Sequence, residues 1–412
     1  MKNKLVLSSK GQYFSKTYSK NGHEVSRELI KIFKTKIKFK SLFLHEPDLD
    51  KSEVNYLNSC IRKNTVSSIG KFVKKFENKI SKLTKAKYVI TTNSGTSALH
   101  ISCILMGIKD NDEVLLPSFT FVGTANAVKY CNAIPHFVDI EEKNFGINVE
   151  KLESYLNNIA IKKKDTCINK LTGRKIKAII PVHVFGHPVE IDGLIALAKK
   201  FNLSIIEDAA EAIGSYYKNQ HVGTFGDIGI ISFNGNKTIT CGSGGAILTN
   251  NKILAQRARH LISTAKIPHS YKYIHDEVGF NYRLPNLNAA LGYSQIKRIK
   301  TILNKKRKLF LFYKKIFKND SIFKLVNEPI NSKSNFWLQT ILISKNYSNL
   351  TRTIIEDLKK KKIYVRPGWE LMTKLNFFRN CPKMNLSISE KICKRIINIP
   401  SSSFLVNYLK KL

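Results

Sequence analysis

The sequence predicts an α/β fold, with a large domain around a mostly parallel sheet and a smaller α/β domain after it. Three observations carry that expectation. Between Tyr88 and Leu248, short apolar runs rich in β-branched residues alternate with stretches of helical period. The runs end in polar or glycine-containing turns that lead into helices, as βα units require. After Asn288, a long helical stretch precedes a tail that mixes strand and helix signals.

Residues 1–40 read as a basic extension, Ser-rich at its start, without the apolar stretch of a signal peptide. Its first part, Met1 to Ser26, is expected to be poorly ordered. The large domain is expected over residues 41–287 and the small one over 288–412. Val54, Leu57, Cys60 and Ile61 recur at helical spacing, and Phe72, Phe76, Ile80 and Leu83 resume it after a break at Ser67 to Gly70. Tyr88 to Thr92 reads as a buried strand, Asn93 to Thr96 as a turn, and Ala98 to Ile101 as the start of a helix. Further strands are expected at Glu113 to Leu116, Pro135 to Asp139, Ala178 to Val182 and Ser204 to Glu207. Helices are expected at Ala125 to Tyr130 and Ile191 to Phe201, and a loop or hairpin insert at Asp165 to Lys175. Ile228 to Phe233 and Ala246 to Leu248 are apolar runs flanking a glycine-rich turn. One helix is expected from Asn288 to Tyr313, a strand at Trp337 to Ser344, and helices at Thr351 to Lys360 and Ser389 to Ile396.

Length allows two or three domains with at least one sizeable core. The net charge of +39 suits nucleic acid or an anionic surface, but the lysines are spread along the chain between apolar residues at helical spacing. They read as solvated helix faces, and no specific nucleic-acid partner is expected. Seven cysteines without a C-x-x-C pair argue against a disulfide framework or a zinc site, and fit a reducing, cytoplasmic setting. No apolar run reaches the roughly 20 residues needed to span a bilayer.

Four segments offer chemistry. Asn93-Ser94-Gly95-Thr96 lies between a strand and a helix, where free backbone N–H groups form a phosphate seat or, equally, a plain N-cap. Asp208 ends a strand of the sheet, placed to hold a protonated ring nitrogen or to cap a helix. Ser232 and Lys237 share one turn. They suit a phosphate and an imine, or are an ordinary polar turn. Phe121, in Phe119-Thr120-Phe121, either stacks on a flat ring or belongs to the core. Together they are the parts of a pyridoxal phosphate site.

On those segments, and on Pro117-Ser118-Phe119-Thr120-Phe121, Glu207-Asp208-Ala209-Ala210 and Gly279-Phe280-Asn281-Tyr282-Arg283, the chain resembles the DegT/StrS family of PLP-dependent sugar aminotransferases from about Leu44 to Ser403. The resemblance implies fold type I, the aspartate aminotransferase architecture. It implies Lys237 as the imine lysine and Asp208 at the pyridine nitrogen. It also implies Phe121 on the ring, Gly95, Thr96 and Ser232 at the phosphate, and Asn281 reaching the cofactor of a second subunit in a homodimer. Leu44-His45-Glu46-Pro47, Val66 to Val73, Cys167 to Lys170, Phe233 to Lys237, Arg366-Pro367 with Trp369, and Asn398 to Ser402 are similar to the legionaminic acid and bacillosamine branch. That branch implies C4 amination of a UDP-linked 4-keto-6-deoxy-N-acetylhexosamine with glutamate as donor. Amination at C3, another keto-sugar, or a non-catalytic binding protein on the same fold are the alternatives.

Ser68, Gly70 and Lys71 would lie by the sugar nucleotide, Lys71 either at the diphosphate or simply solvated. His183 would line the site; with His187 it lacks the carboxylate or Cys that would complete a metal set, and no metal is expected. The chain departs from the family at Glu211, near the cofactor hydroxyl, where many relatives have His or Gln, and at Ser243, where they are acidic. Lys237 also separates it from relatives that carry His there and act as dehydratases.

Overall fold

Parallel strands covered on both faces should be apolar throughout, and the central strands meet that demand. In a computed structural model, which describes residues 20–410, seven strands form the main sheet: β1 (Tyr88–Thr92), β2 (Glu113–Pro117), β3 (Ile134–Val138), β4 (Lys175–Ile179), β5 (Ser204–Asp208), β6 (Ile228–Ser232) and β7 (Gly245–Thr249). Their spatial order is β1-β7-β6-β5-β4-β2-β3. Only β7 runs against its neighbours; the rest of the path is parallel. The polar insert is a hairpin whose second strand, Thr166–Asn169, joins the edge of β4.

Strand periodicity divides the core. Val114 and Leu116 enter one cluster with Ile228, Ile230 and Ile247. Leu115 points to the opposite face, with Ile179 and Ile205, and Ile231, Ala246 and Leu248 also face that way. Helices Gly95–Leu105, Val122–Tyr130 and Lys252–Ile262 pack into the first cluster. The other face is covered by Val149–Ile159, Ile191–Phe201, Lys71–Thr84 and Asn286–Lys297. The strands' carboxyl ends therefore open at one edge, where parallel sheets bind ligands.

The second core surrounds an antiparallel sheet ordered Phe323–Leu325, Gln339–Ile343, Ile396–Ile399, Arg366–Pro367. Three expectations change here. Part of the extension expected to be disordered is a helix, Gly22–Lys36, whose Val25, Leu29 and Phe33 are buried with Leu309, Ile354 and Leu358. Asn21 and Glu24 close it with a reciprocal capping box. Residues 1–19 lie outside the described residues. The single helix expected from Asn288 to Tyr313 is two, Asn286–Lys297 and Ile299–Ile316, broken at Arg298. The Arg298 guanidinium reaches Asp48, Asp50 and Glu53 at 3.0, 2.9 and 3.2 Å. The second of these helices joins the cores: Ile299 and Ile302 still pack with the large sheet's cluster, and Leu309, Phe310 and Tyr313 enter the second core. Finally, the helix expected to end at Ile396 stops at Cys393, because Ile396 is already pairing in the sheet.

Candidate active site

A cleft of about 1030 Å³ opens where β5 and β6 end, walled by both cores. Lys237 stands in the turn after β6, with its amide N–H donated to the Asn234 carbonyl at 3.0 Å. Its ammonium lies 3.2 Å from Glu211 Oε1 and 3.9 Å from the centroid of the Trp337 ring. The Lys237 side chain is only 11% exposed, so both contacts act in a poorly solvated place.

Asp208 is the last residue of β5 and is buried. Its Oδ2 accepts from Thr124 Oγ1 at 2.7 Å, and its Oδ1 from the Ala210 amide at 3.1 Å. Thr120 completes the chain to Thr124 at 3.0 Å. Burial raises the Asp208 carboxyl above its ordinary value, opposed by those donors and by Lys237. Among the described residues it forms no ion pair. A protonated ring nitrogen would supply the missing cation.

The helix Gly95–Leu105 starts at the same edge, with Ser94 Oγ accepting from Ser97 N at 3.0 Å. Gly95 packs against Ser232 so closely that a Cβ would stand 2.8 Å from the Ser232 Cβ. A Cβ on Gly123 would stand 3.0 Å from Thr96 Oγ1 and 3.1 Å from the Phe121 ring. The missing side chains leave a cradle between a helix N-terminus, two hydroxyls and an aromatic face. Phe121 is 54% exposed, and that exposure is on the cleft rather than in the core. A flat, phosphorylated, cationic ring fits these residues.

Lys237, Asp208, Glu211, Ser232, Gly95, Thr96 and Phe121 are therefore brought together. The other expected residues are not. His183 is fully buried, its Nε2 3.1 Å from Glu207 Oε2 and its Nδ1 accepting from Val189 N. It orders the loop behind the cleft and has no surface on it. Asn281, expected at the cofactor of a second subunit rather than in this cleft, is exposed, its carbonyl accepting from the Asn93 side-chain amide at 3.4 Å. Ser68 and Gly70 lie in a loop, and Lys71 opens the helix after it, all fastened by buried Asn286, which accepts from Phe72 N and donates to the Thr65 carbonyl. They also stand apart from the cleft lining. His187 has an unpartnered Nδ1, and burial lowers its pKa to about 4. One other cluster, His260 with Asp276 and Glu277, has ligand spacing, but Arg257 already occupies Glu277.

Sequence reasoning missed Trp337, Thr124 and Phe185, which hold the reactive groups, and Lys359, a cation at the cleft mouth. Phe43 and Tyr364 stack at that mouth, 4.9 Å apart and 2° from parallel. A left-handed φ of 56° at Phe185 gave no local signal, because it is followed by a glycine that only hints at a turn.

A profile described as the DegT/DnrJ/EryC1/StrS aminotransferase family matches residues 47–407. The GDP-perosamine synthase of Escherichia coli O157:H7 is 35% identical over 370 residues, covering 88% of this chain and 94% of that protein. A Campylobacter jejuni UDP-4-amino-4,6-dideoxy-N-acetyl-beta-L-altrosamine transaminase is 32% identical over 359 residues, covering 86% and 90%. Helicobacter pylori PseC, an aminotransferase involved in the biosynthesis of pseudoaminic acid, superposes with a TM-score of 0.79 at 26% identity over 88% of this chain and 94% of that one.

Proposed function

The chain belongs to the DegT/DnrJ/EryC1/StrS aminotransferase family, and from that premise we propose that it moves an amino group from glutamate to C4 of a UDP-linked 4-keto-6-deoxy-N-acetylhexosamine. It is a fold type I, PLP-dependent sugar aminotransferase of nucleotide-sugar biosynthesis. The observation that carries the reading is Lys237 aimed into a cleft with a buried, ion-pair-free Asp208 opposite a glycine-cut cradle.

When bound, the cofactor carries the amino group and accepts the electrons freed at the substrate carbon. In our reading Lys237 holds it and, once released, moves the proton at the reacting carbon. Asp208 keeps the ring nitrogen protonated, with Thr124 and the Ala210 amide fixing its two oxygens. Gly95, Thr96 and Ser232 seat the phosphate, and Phe121 supports the ring. Arg366 and Lys359, exposed at the mouth, meet the diphosphate or carboxylate of incoming substrates. Asn281 serves the cofactor of a second copy in a homodimer, and the enzyme works in the cytoplasm. No helix among the described residues is long and apolar enough to cross a membrane.

A second reading, a GDP-linked keto-sugar, is favoured by the relative named for GDP-perosamine. Incubation with glutamate and a panel of UDP-, GDP- and dTDP-linked 3- and 4-keto sugars separates the two, with products assigned by mass spectrometry and NMR. A 4-amino UDP-sugar is expected. Turnover of only GDP-linked ketones, or amination at C3, overturns the substrate assignment.

A further inference from the structure

Glu211 is built into the cleft more firmly than a surface carboxylate, and its only ionic partner among the described residues is Lys237. Oε2 is fixed by the Phe185 amide at 2.8 Å, in a left-handed turn that aims this N–H inward. Oε1 is thereby presented to Nζ, 3.2 Å away, while the Trp337 ring closes the amine's other side. An ammonium at Lys237 has no lone pair with which to attack a carbonyl. Something must take its proton inside the cleft.

We propose that Glu211 is the proton acceptor of Lys237: Oε1 takes a proton from the ammonium when the amine acts as a nucleophile, and returns it when the amine is released. One N–H bond breaks and one O–H bond forms. The nitrogen keeps the electron pair, and the pair's net charge is zero before and after, so no other reactant is needed. The inference rests on the reading of Lys237 as the cofactor lysine.

The surroundings favour this exchange. Asp208 is the other carboxylate facing the same amine, and its two oxygens are already held by Thr124 and Ala210. Lys306 is turned away, donating to the Trp337 and Ser401 carbonyls at 2.8 and 2.6 Å. His45, at the cleft wall, keeps an enclosed Nδ1 without a partner. His183 and Glu207 satisfy each other behind the wall. Burial raises the Glu211 carboxyl above its ordinary value despite the opposing pull of Lys237, and Asp208 adds to the rise. A buried ion pair that can become a neutral acid and a neutral amine sheds its desolvation cost.

The test is the reactivity of Lys237 in full-length protein stripped of cofactor. A pulse of acetic anhydride is applied at several pH values from about 6 to 8, and acylation of Lys237 is read by peptide mass spectrometry against a free amine of known pKa. While one proton is shared by the pair, the fraction of neutral amine is set inside the pair and not by the solvent. Wild-type reactivity should therefore change by less than about threefold over this range, whereas Glu211→Gln should gain about tenfold per pH unit. Parallel tenfold slopes in both proteins overturn the proposal, and would make Glu211 a mere counter-ion. The wild-type slope decides the matter even if the variant folds poorly. Because the readout precedes cofactor binding, a protein that never binds PLP would refute the proposed function and leave this result separately decided.

Discussion

At the residue scale, the cleft joins groups whose chemistry depends on one another. Asp208→Asn keeps the shape and removes the charge, so it is expected to cut kcat by at least about a hundredfold, as losing one preorganised electrostatic group does. Thr124→Val should do less, because it leaves Asp208 one donor, Ala210. Steady-state kinetics at saturating glutamate and keto-sugar measure both. Lys237, Asp208, Ser232 and the Asn93-Ser94-Gly95-Thr96 turn were legible because turn chemistry and strand ends are local signals. Trp337 was not, since it reaches Lys237 from just before the strand Gln339–Ile343, 100 positions away. His183 reads like a site residue from its neighbours in sequence, but its ring is spent on Glu207 and Val189.

At the element scale, the helix Gly95–Leu105 ends its job if its first residue changes. Gly95→Ala would push Ser232 aside and should weaken cofactor retention by about tenfold or more, the cost of losing roughly one charge-assisted hydrogen bond. Equilibrium dialysis with PLP measures it. The helix Gly22–Lys36 is tied to Thr351–Lys360 through Asp357, which accepts from Ser26 at 2.7 Å and meets His23 at 2.6 Å. Burial alone would raise this carboxyl, but Ser26, His23 and Lys360 outweigh it and bring its pKa to about 2. A folded pKa below the unfolded one stabilises docking above the ordinary carboxylate range and loses that stabilisation as pH falls toward about 2. Hydrogen exchange in residues 22–36 should therefore accelerate between about pH 4 and pH 2, and Asp357→Asn should remove most of this pH dependence. Strands β1, β2, β3, β5 and β6 were readable from their short apolar runs, whereas β4 begins at Lys175, three residues before the expected Ala178, because exposed Lys175 and half-buried Lys177 interrupt its apolar run. The break at Arg298 was not, because the three carboxylates that hold it lie near residue 50.

At the scale of the whole molecule, the helix Gly22–Lys36 is structural. Val25, Leu29 and Phe33 are fully buried, and each such side chain contributes roughly 1.5–3 kcal/mol. Deleting residues 1–37 should therefore remove a large share of the about 5–15 kcal/mol that holds a domain folded, seen as a clear drop in thermal midpoint. Composition hid this helix. Its lysines face solvent on a chain where lysine is everywhere, and its apolar stripe is complete only against Leu309, Ile354 and Leu358. Two cores brought together around Lys237 make sense if that amine carries the cofactor. The direct measurement is reduction of the PLP-treated protein with borohydride, followed by peptide mass spectrometry. A phosphopyridoxyl group on Lys237, lost together with the violet absorbance band in Lys237→Ala, is the predicted result. A wild-type protein that takes up no PLP, or labels equally at surface lysines and in the variant, would contradict the account.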